Sequence, residues 1–526
     1  MKSAKEVTME QLVIAYDMGT TGVKACVYDI SRGIKYVAGE KANYSLYILQ
    51  GGGAEQDPDQ WWEAMCKTTA SLLRKPGIEG SKICGISFCA QMQALVLVDK
   101  EGKPVRRAMS YMDNRAGRQL QEGLGRGLRI SGMNAGKVWS SIRRTGAVSA
   151  SVKDPVWKYR WVADEEPQVF QRVHKWLDVK DYLVCRATGE FTMSHDSAFA
   201  TLLYDTKKKE FSREVCHMMK VDLDHLPRIC QSWDMVGPLT AKAAEELGLP
   251  AGTKVFSGGG DASLIGLGAG AVSPTDTHVY MGTSGWVSTV TEKQVLDIRT
   301  KIASIVGVDP DAFHCFAELE TAGKCLEWAK NNIGVEGLGP LEERTYEDVM
   351  ERIGKVPAGS NGVIFTPWLH GNRNPFEDPN AAGMFFNLSL ETTGRDMIHA
   401  VIEGVCFHLK WQLLAMEKKV TVSENVKFVG GGALSPLTCT ILADILDRTV
   451  ETVDQPQNVG AAGAAMLISM GMGKIGGVGE VKELIPVKRI YRPSKNTELY
   501  QAYFEEFKNL YLNNKNSFRV LNEGRR

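Results

Sequence analysis

Short apolar runs separated by Gly/Thr turns mark the start of this chain, and they predict a β-hairpin. Leu12–Asp17 reads as a strand, Met18–Gly22 as a turn and Val23–Tyr28 as a second strand. A third strand over Ile34–Ala42 continues the meander. The pattern returns at His278–Val290, where a strand enters the turn Gly282-Thr283-Ser284-Gly285 and leaves it as a strand. One Gly-Thr-X-Gly tetrapeptide is no more than chance supplies. Two, each set between apolar runs, read as one ancestral domain used twice, with the two turns facing each other across a cleft. The Gly/Ala/Ser/Pro stretch between Gly270 and Asp276 is the expected boundary, giving domains over 12–271 and 276–512.

Helical periodicity appears near Asp59–Lys75, Lys158–Phe170 and Thr240–Leu247, each opening near Asp, Pro or Thr. A further short strand, Asn425–Val429, runs into Gly430-Gly431-Gly432-Ala433. Ser435 then reads as the N-cap of a helix over Leu437–Asp447, with Pro436 in its first position. Gln457–Met466 reads as a helix of small residues that permits close backbone packing. From about Leu512 the chain turns polar and basic, and a frayed end is expected.

Composition narrows the class. A single core rarely exceeds roughly 250–300 residues, so a chain of 526 suggests two large domains. Lys+Arg and Asp+Glu balance at 62 each, which argues against a nucleic-acid binder working through bulk positive charge. The eleven cysteines contain no CxxC pair and suggest reduced thiols, hence a cytoplasmic protein. The opening MKSAKEVTMEQ lacks an apolar signal core, and no run approaches the ~18 apolar residues of a membrane span. The histidines show no metal-ligand spacing, so a metal would be held by carboxylates and phosphates.

The turns carry the candidate chemistry. Phosphate recognition needs inward-pointing backbone N–H groups on a chain that bends without a Cβ in the way. Gly19, Gly22, Gly282 and Gly285 meet that need, and Thr20, Thr21, Thr283 and Ser284 add hydroxyl donors. A single copy reads as an ordinary hairpin; two matched copies plus Gly430–Gly432 favour nucleotide binding. A P-loop is absent. The one loose dinucleotide match, Gly266–Ala271, lacks a convincing strand before it. Asp17 ends the first strand and could orient Mg²⁺ through water, or simply cap the hairpin. Lys24 reads equally as a phosphate contact and as a solvated strand residue. Asp261, after the strand and the turn Gly258–Gly260, suits the group that accepts a proton from an attacking hydroxyl; it also suits a helix N-cap.

From Val13 to Gly471 the sequence resembles the FGGY carbohydrate kinases, most of all their xylulokinase branch. The resemblance rests on Asp17–Lys24, Glu55–Trp62, Gln91-Met92, Tyr111–Arg115, Lys180–Leu183, Thr188–Phe191, Gly258–Asp261, Gly282–Gly285 and Gly430–Ala433. It implies an α/β chain of two actin-like, ribonuclease-H-like domains with a central cleft. It also implies ATP and Mg²⁺, and a small sugar as phosphoryl acceptor. Asp261 matches the catalytic base, Asp17 the carboxylate near Mg²⁺, and Gly430, Gly431, Gly432 and Ala433 the nucleotide loop. Sugar contacts are expected from Gln91, Met92 and Gln93, and from Asp113, whose carboxylate could accept from two hydroxyls. Neither nucleic acid nor a membrane is an expected partner, and the oligomeric state stays open, a homodimer included.

The sequence departs from the branch pattern where the sugar would sit. Met92-Gln93 stands for Met-His, Tyr111-Met112-Asp113 for Trp-Asn-Asp, and Gly371–Pro375 for Gly-Glu-Arg-Thr-Pro. Thr438 and Thr440 replace the aromatic residue and Gln that follow the nucleotide loop. The expected activity is ATP-dependent phosphorylation of a small sugar, a ketopentose or a related pentulose or polyol, with D-xylulose a secondary substrate. A non-catalytic sensor would be expected to lack Asp17 or Asp261, and an actin-like ATPase would not need the polar set at Gln91–Gln93. Trp61 and Trp62 read as packing anchors, His278 and His408 as structural, and Lys207–Lys209 as a solvated turn.

Overall fold

The computed structural model describes residues 11–125, 129–130 and 132–524; the expectation for the polar opening falls largely outside them, on residues 1–10. The chain forms two compact units. In the first, β1 (Leu12–Met18) pairs antiparallel with β2 (Gly22–Asp29), and β2 with β3 (Lys35–Asn43). β4 (Ile83–Ala90) lies parallel to β1, and β5 (Lys254–Phe256) and the two-residue β6 (Gly259–Gly260) lie parallel to β4. The order is β3-β2-β1-β4-β5. Leu12–Tyr16 is fully buried, as a strand covered on both faces of a sheet requires.

The second unit repeats that order. β7 (Thr277–Met281) and β8 (Gly285–Thr291) form the second hairpin, followed by β9 (Phe313–Leu319), β10 (Asn425–Val429) and β11 (Thr449–Val453). Their order is β9-β8-β7-β10-β11, with β10 parallel to both β7 and β11. Two ribonuclease-H-like sheets of one topology are what a duplicated ancestral domain leaves behind, and the actin-like class follows.

Helices start where local chemistry caps them. Asp57 caps α1 (Pro58–Leu73), where Trp61 and Trp62 are buried and Trp62 Nε1–H donates to Glu246 Oε2 at 2.7 Å. α2 (Pro155–Glu165) ends sooner than its periodicity predicts, because Pro167 starts a separate turn. Asp178 caps α3 (Val179–Thr188), and α4 (Asp261–Gly268) follows β6. In the second unit, α5 (Gly323–Asn332) and the long, buried α6 (Gly394–Glu417) precede α7 (Pro436–Leu446). Ser435 caps α7 with Pro436 in its first position.

Ile305–Phe313 and Asn458–Leu484 group with the first unit, and the chain's end is helical. α8 (Val459–Gly471) groups with the first unit, which comprises Met1–Gly270, Ile305–Phe313 and Asn458–Leu484. Its small residues are the reason: a Cβ on Gly268 would overlap the Val459 carbonyl, and one on Gly463 would lie 2.5 Å from Leu264 O, so α4 and α8 touch backbone to backbone. The frayed end is also replaced by order. α9 (Thr497–Asn522) runs to Asn522 because Phe507, Tyr511 and Phe518 lie against Trp368 in the core of the second unit. No helix among the described residues is long and apolar enough to cross a membrane.

Candidate active site

Three neighbouring strands of the first unit end side by side. β1 delivers Asp17, β4 runs into Gln91-Met92-Gln93, and β6 runs into Asp261. The register pairs Asp17 with Cys89 and Gly259 with Cys89, and Gln91 N–H donates to Met18 O at 2.9 Å. The carboxyl ends of adjacent parallel strands are where sheets of this kind gather ligand-binding groups. Burial, and then the charges of Asp17 and Asp261, push the Cys89 thiol well above its ordinary value, so both carboxylates act on one buried point.

Asp261 is the first residue of α4, and the N-cap position itself falls on Gly260. Its Oδ1 accepts from Ala262 N–H at 2.8 Å. The turn before it is pinned by buried Asp196, whose Oδ2 accepts from Gly260 N–H at 2.7 Å. Lys24 lies opposite Asp17 in the hairpin, with Nζ 3.7 Å from its Oδ2.

The first turn is closed by Gly19 N–H donating to Gly22 O at 2.9 Å, and Tyr44 donates to Gly19 O. Thr20 Oγ1 lies 3.3 Å from the Tyr111 hydroxyl, while Thr21 is exposed. Gln56 Nε2 donates to Thr20 O at 2.7 Å, and Gln91 Nε2 donates to Gln56 Oε1 at 3.0 Å. Gln91 is thereby oriented by its amide nitrogen. Its Oε1 is buried without a hydrogen-bond partner within the protein.

Asp113 has several partners within the protein. It is fully buried, and its oxygens accept from Ala54 N–H (2.9 Å) and from Arg115 N–H, Nε–H and Nη2–H (2.6–3.2 Å). These bonds tie the Tyr111–Arg115 turn to Ala54. Met92 packs under Gly260, where a Cβ would overlap its sulfur. Gln93 adopts a left-handed backbone, φ 64°.

The second unit brings the other two glycine turns together. Gly282 N–H donates to Ser284 O at 2.9 Å, and the carbonyls of Gly282 and Thr283 accept from Gly323 and Ala322 at the start of α5. Because β7 and β10 are parallel neighbours, the Gly430–Ala433 turn adjoins that hairpin. Gly430 has φ 93°, and a Cβ there would lie 2.5 Å from Met281 O, so only glycine fits. Gly431 is exposed, Ala433 is buried, and Ala433 N–H closes the turn on Gly430 O at 3.2 Å. Thr440 spends its hydroxyl on Pro436 O at 3.0 Å, and Thr438 is buried.

Residues 12–268 match the N-terminal domain, and residues 278–472 the C-terminal domain, of the FGGY family of carbohydrate kinases. The chain belongs to this family. It is an ATP-dependent sugar kinase. A xylulose kinase of Lactococcus lactis is 30% identical over 95% of this chain and 96% of its own. Two solved structures from Lactobacillus acidophilus, a gluconate kinase and a ligand-bound xylulose kinase, each superpose with TM-score 0.84 at 25% identity, covering 97% of this chain and all of theirs.

Several further residues hold these segments in place. Gln56, Lys158, Asp178 and Asp196 are all buried polar groups bonded to the segments just described. A lysine inside the apolar run Pro155–Trp161 is the one signal that could have marked Lys158, and Asp178 before Lys180–Leu183 reads as a helix cap. Asp196 and Gln56 carry no local signal, since their partners are 64 and 36 positions away.

Proposed function

We propose that this kinase phosphorylates a hydroxyl of an uncharged small sugar, a ketopentose or a related pentulose or polyol, with Asp261 as the base. The observation that carries this reading is the unpartnered Gln91 Oε1, buried at the strand end beside the one that leads into Asp261. Gln91 and Gln93 offer amide donors and acceptors suited to hydroxyls. The cations described at this end of the sheet are already engaged: Lys24 by Asp17, Arg115 by Asp113 and Glu55, and Lys158 by two carbonyls. An aldonate would bring a carboxylate toward Asp17 and Asp261, which favours the xylulose kinase relatives over the gluconate kinase as guides.

Asp261 accepts the proton as the sugar oxygen bonds to the γ-phosphorus of ATP and ADP leaves. The turns Gly19–Thr21, Gly282–Ser284 and Gly430–Ala433 supply phosphate and nucleotide contacts, with Lys24 oriented by Asp17. Among the described residues no cluster of three or more His, Cys, Asp or Glu could hold a metal unaided. That suits Mg²⁺, which keeps waters and phosphate oxygens as ligands and here would be held by Asp17. Glycine at position 460 leaves the space beside Asp17 open, since a Cβ there would lie 3.3 Å from Oδ2. When bound, Mg²⁺ neutralises phosphate charge. ADP release measured over ketoses, aldonates and polyols tests the reading; gluconate as the best acceptor would overturn it.

A further inference from the structure

We propose that Lys158 and Asp178 form a buried clamp that positions Gln93 for the sugar and ties it to the Tyr111–Asp113 segment. The proposal rests on the reading of Gln93 as a sugar contact. Gln93 is gripped at both of its peptide groups. Its N–H donates to Asp178 Oδ2 at 2.8 Å, and the next N–H, of Ala94, donates to Oδ1 at 3.0 Å. Its carbonyl accepts from Lys158 Nζ at 2.9 Å, and the same Nζ donates to Ser110 O at 2.7 Å. Ser110 O also accepts from Asp113 N–H at 3.0 Å, so one ammonium group joins the exit of β4 to the turn bearing Tyr111.

Local preference does not supply this geometry. A non-glycine residue at φ 64° sits in a sparsely populated region and persists when its surroundings hold it there. The holding groups are costly. Lys158 is fully buried and Asp178 nearly so; burial lowers the amine to about 7 and raises the carboxyl to about 7. Apolar residues could fill the same volume with less desolvation, so two ionisable groups here are best explained by the backbone they orient. Both are positioning residues, acting on the substrate only through Gln93.

The test compares Lys158→Met, Asp178→Asn, Gln93→Gly and the double variant Lys158→Met/Gln93→Gly. The acceptor is whichever of D-xylulose, L-xylulose, D-ribulose, L-ribulose and erythritol the native enzyme uses best. Lys158→Met and Asp178→Asn are expected to raise the acceptor KM about 10- to 100-fold and to leave the ATP KM unchanged. In the Gln93→Gly background the Lys158 effect should disappear, because the side chain it aims is gone. Asp178→Asn carries the comparison if Lys158→Met does not fold. A rise that persists without the Gln93 side chain, or an ATP KM that rises in parallel, overturns the clamp. Gln93→Gly with an unchanged acceptor KM overturns instead the sugar-contact reading beneath it.

Discussion

Asp261 stands at a helix start, bonded to the N–H of the residue after it. Asp261→Asn keeps the oxygen acceptor and removes the base. It should fold, bind ATP and sugar, and lose about 10²–10⁴ in turnover; near-native turnover by ADP release would leave Asp261 only its helix-start role. Gln93 governs specificity in the same reading. D-xylulose is expected to be a secondary substrate, because a glutamine amide does not offer donors and acceptors where a histidine ring would. The comparison is kcat/KM on D-xylulose against D-ribulose, L-xylulose, L-ribulose and four-carbon polyols. D-xylulose as the best acceptor by a wide margin, with Gln93→His changing nothing, would show the reading of this pocket to be wrong. The strand-end positions of Asp17 and Asp261 and the glycine turns were legible because turn chemistry is local. The bond from Ala54 N–H to Asp113 was not, since the partners lie 59 positions apart.

At the scale of elements, the hairpins and capped helices could be read from neighbouring residues, while α8 shows what such reading leaves out. Its small-residue character was plain, and so was the inference of close packing, but not the surface it packs on. That surface is β1, β4 and α4 of the first unit, and the crossing with α4 is held at backbone distance by Gly268 and Gly463. Gly463→Ala sets a Cβ 2.5 Å from Leu264 O. Overpacking of this kind costs about 1–3 kcal/mol or more, against the few tenths to 1 kcal/mol that Ala normally contributes in a helix. A lower melting temperature for the first unit is therefore expected by calorimetry. An unchanged or raised one would mean that the helices separate freely.

Two consequences belong to the whole molecule. The first unit needs α8, which lies beyond most of the second unit in sequence, so a chain ending at residue 275 lacks the cover for β1 and β4. Such a fragment should bind hydrophobic dye and melt without cooperativity; a sharp calorimetric transition would show that α8 is dispensable. The second unit buries two histidines. Trp286 Nε1–H donates to His278 Nε2 and Trp368 Nε1–H to His408 Nδ1, each at 3.1 Å, and burial lowers the two imidazoles to about 3 and about 4. The unfolded chain binds protons at these sites from about pH 6.5 downward, whereas the folded chain does not. Their stabilising contribution is thus complete above about pH 6.5 and lost as pH falls toward those lower values, at up to about 1.4 kcal/mol per pH unit for each ring. Denaturant midpoints of the second unit between pH 8 and 5 should fall, and His278→Gln should flatten the slope. A pH-independent midpoint would exclude the histidines as the cause.

The repeated hairpin, the caps and the glycine turns could be read from the amino-acid order, because each depends on backbone sterics and hydrogen bonds within a few residues. The tertiary structure alone decided which acceptor remains unpaired at Gln91, that Asp113 is spent on Arg115 and Ala54, that Lys158 and Asp178 grip Gln93, and that α8 and Phe518 belong to their respective cores. Those outcomes turn on desolvation and on partners tens to hundreds of positions apart. Such a partner leaves no mark on the local pattern of either residue, and only packing in three dimensions selects it.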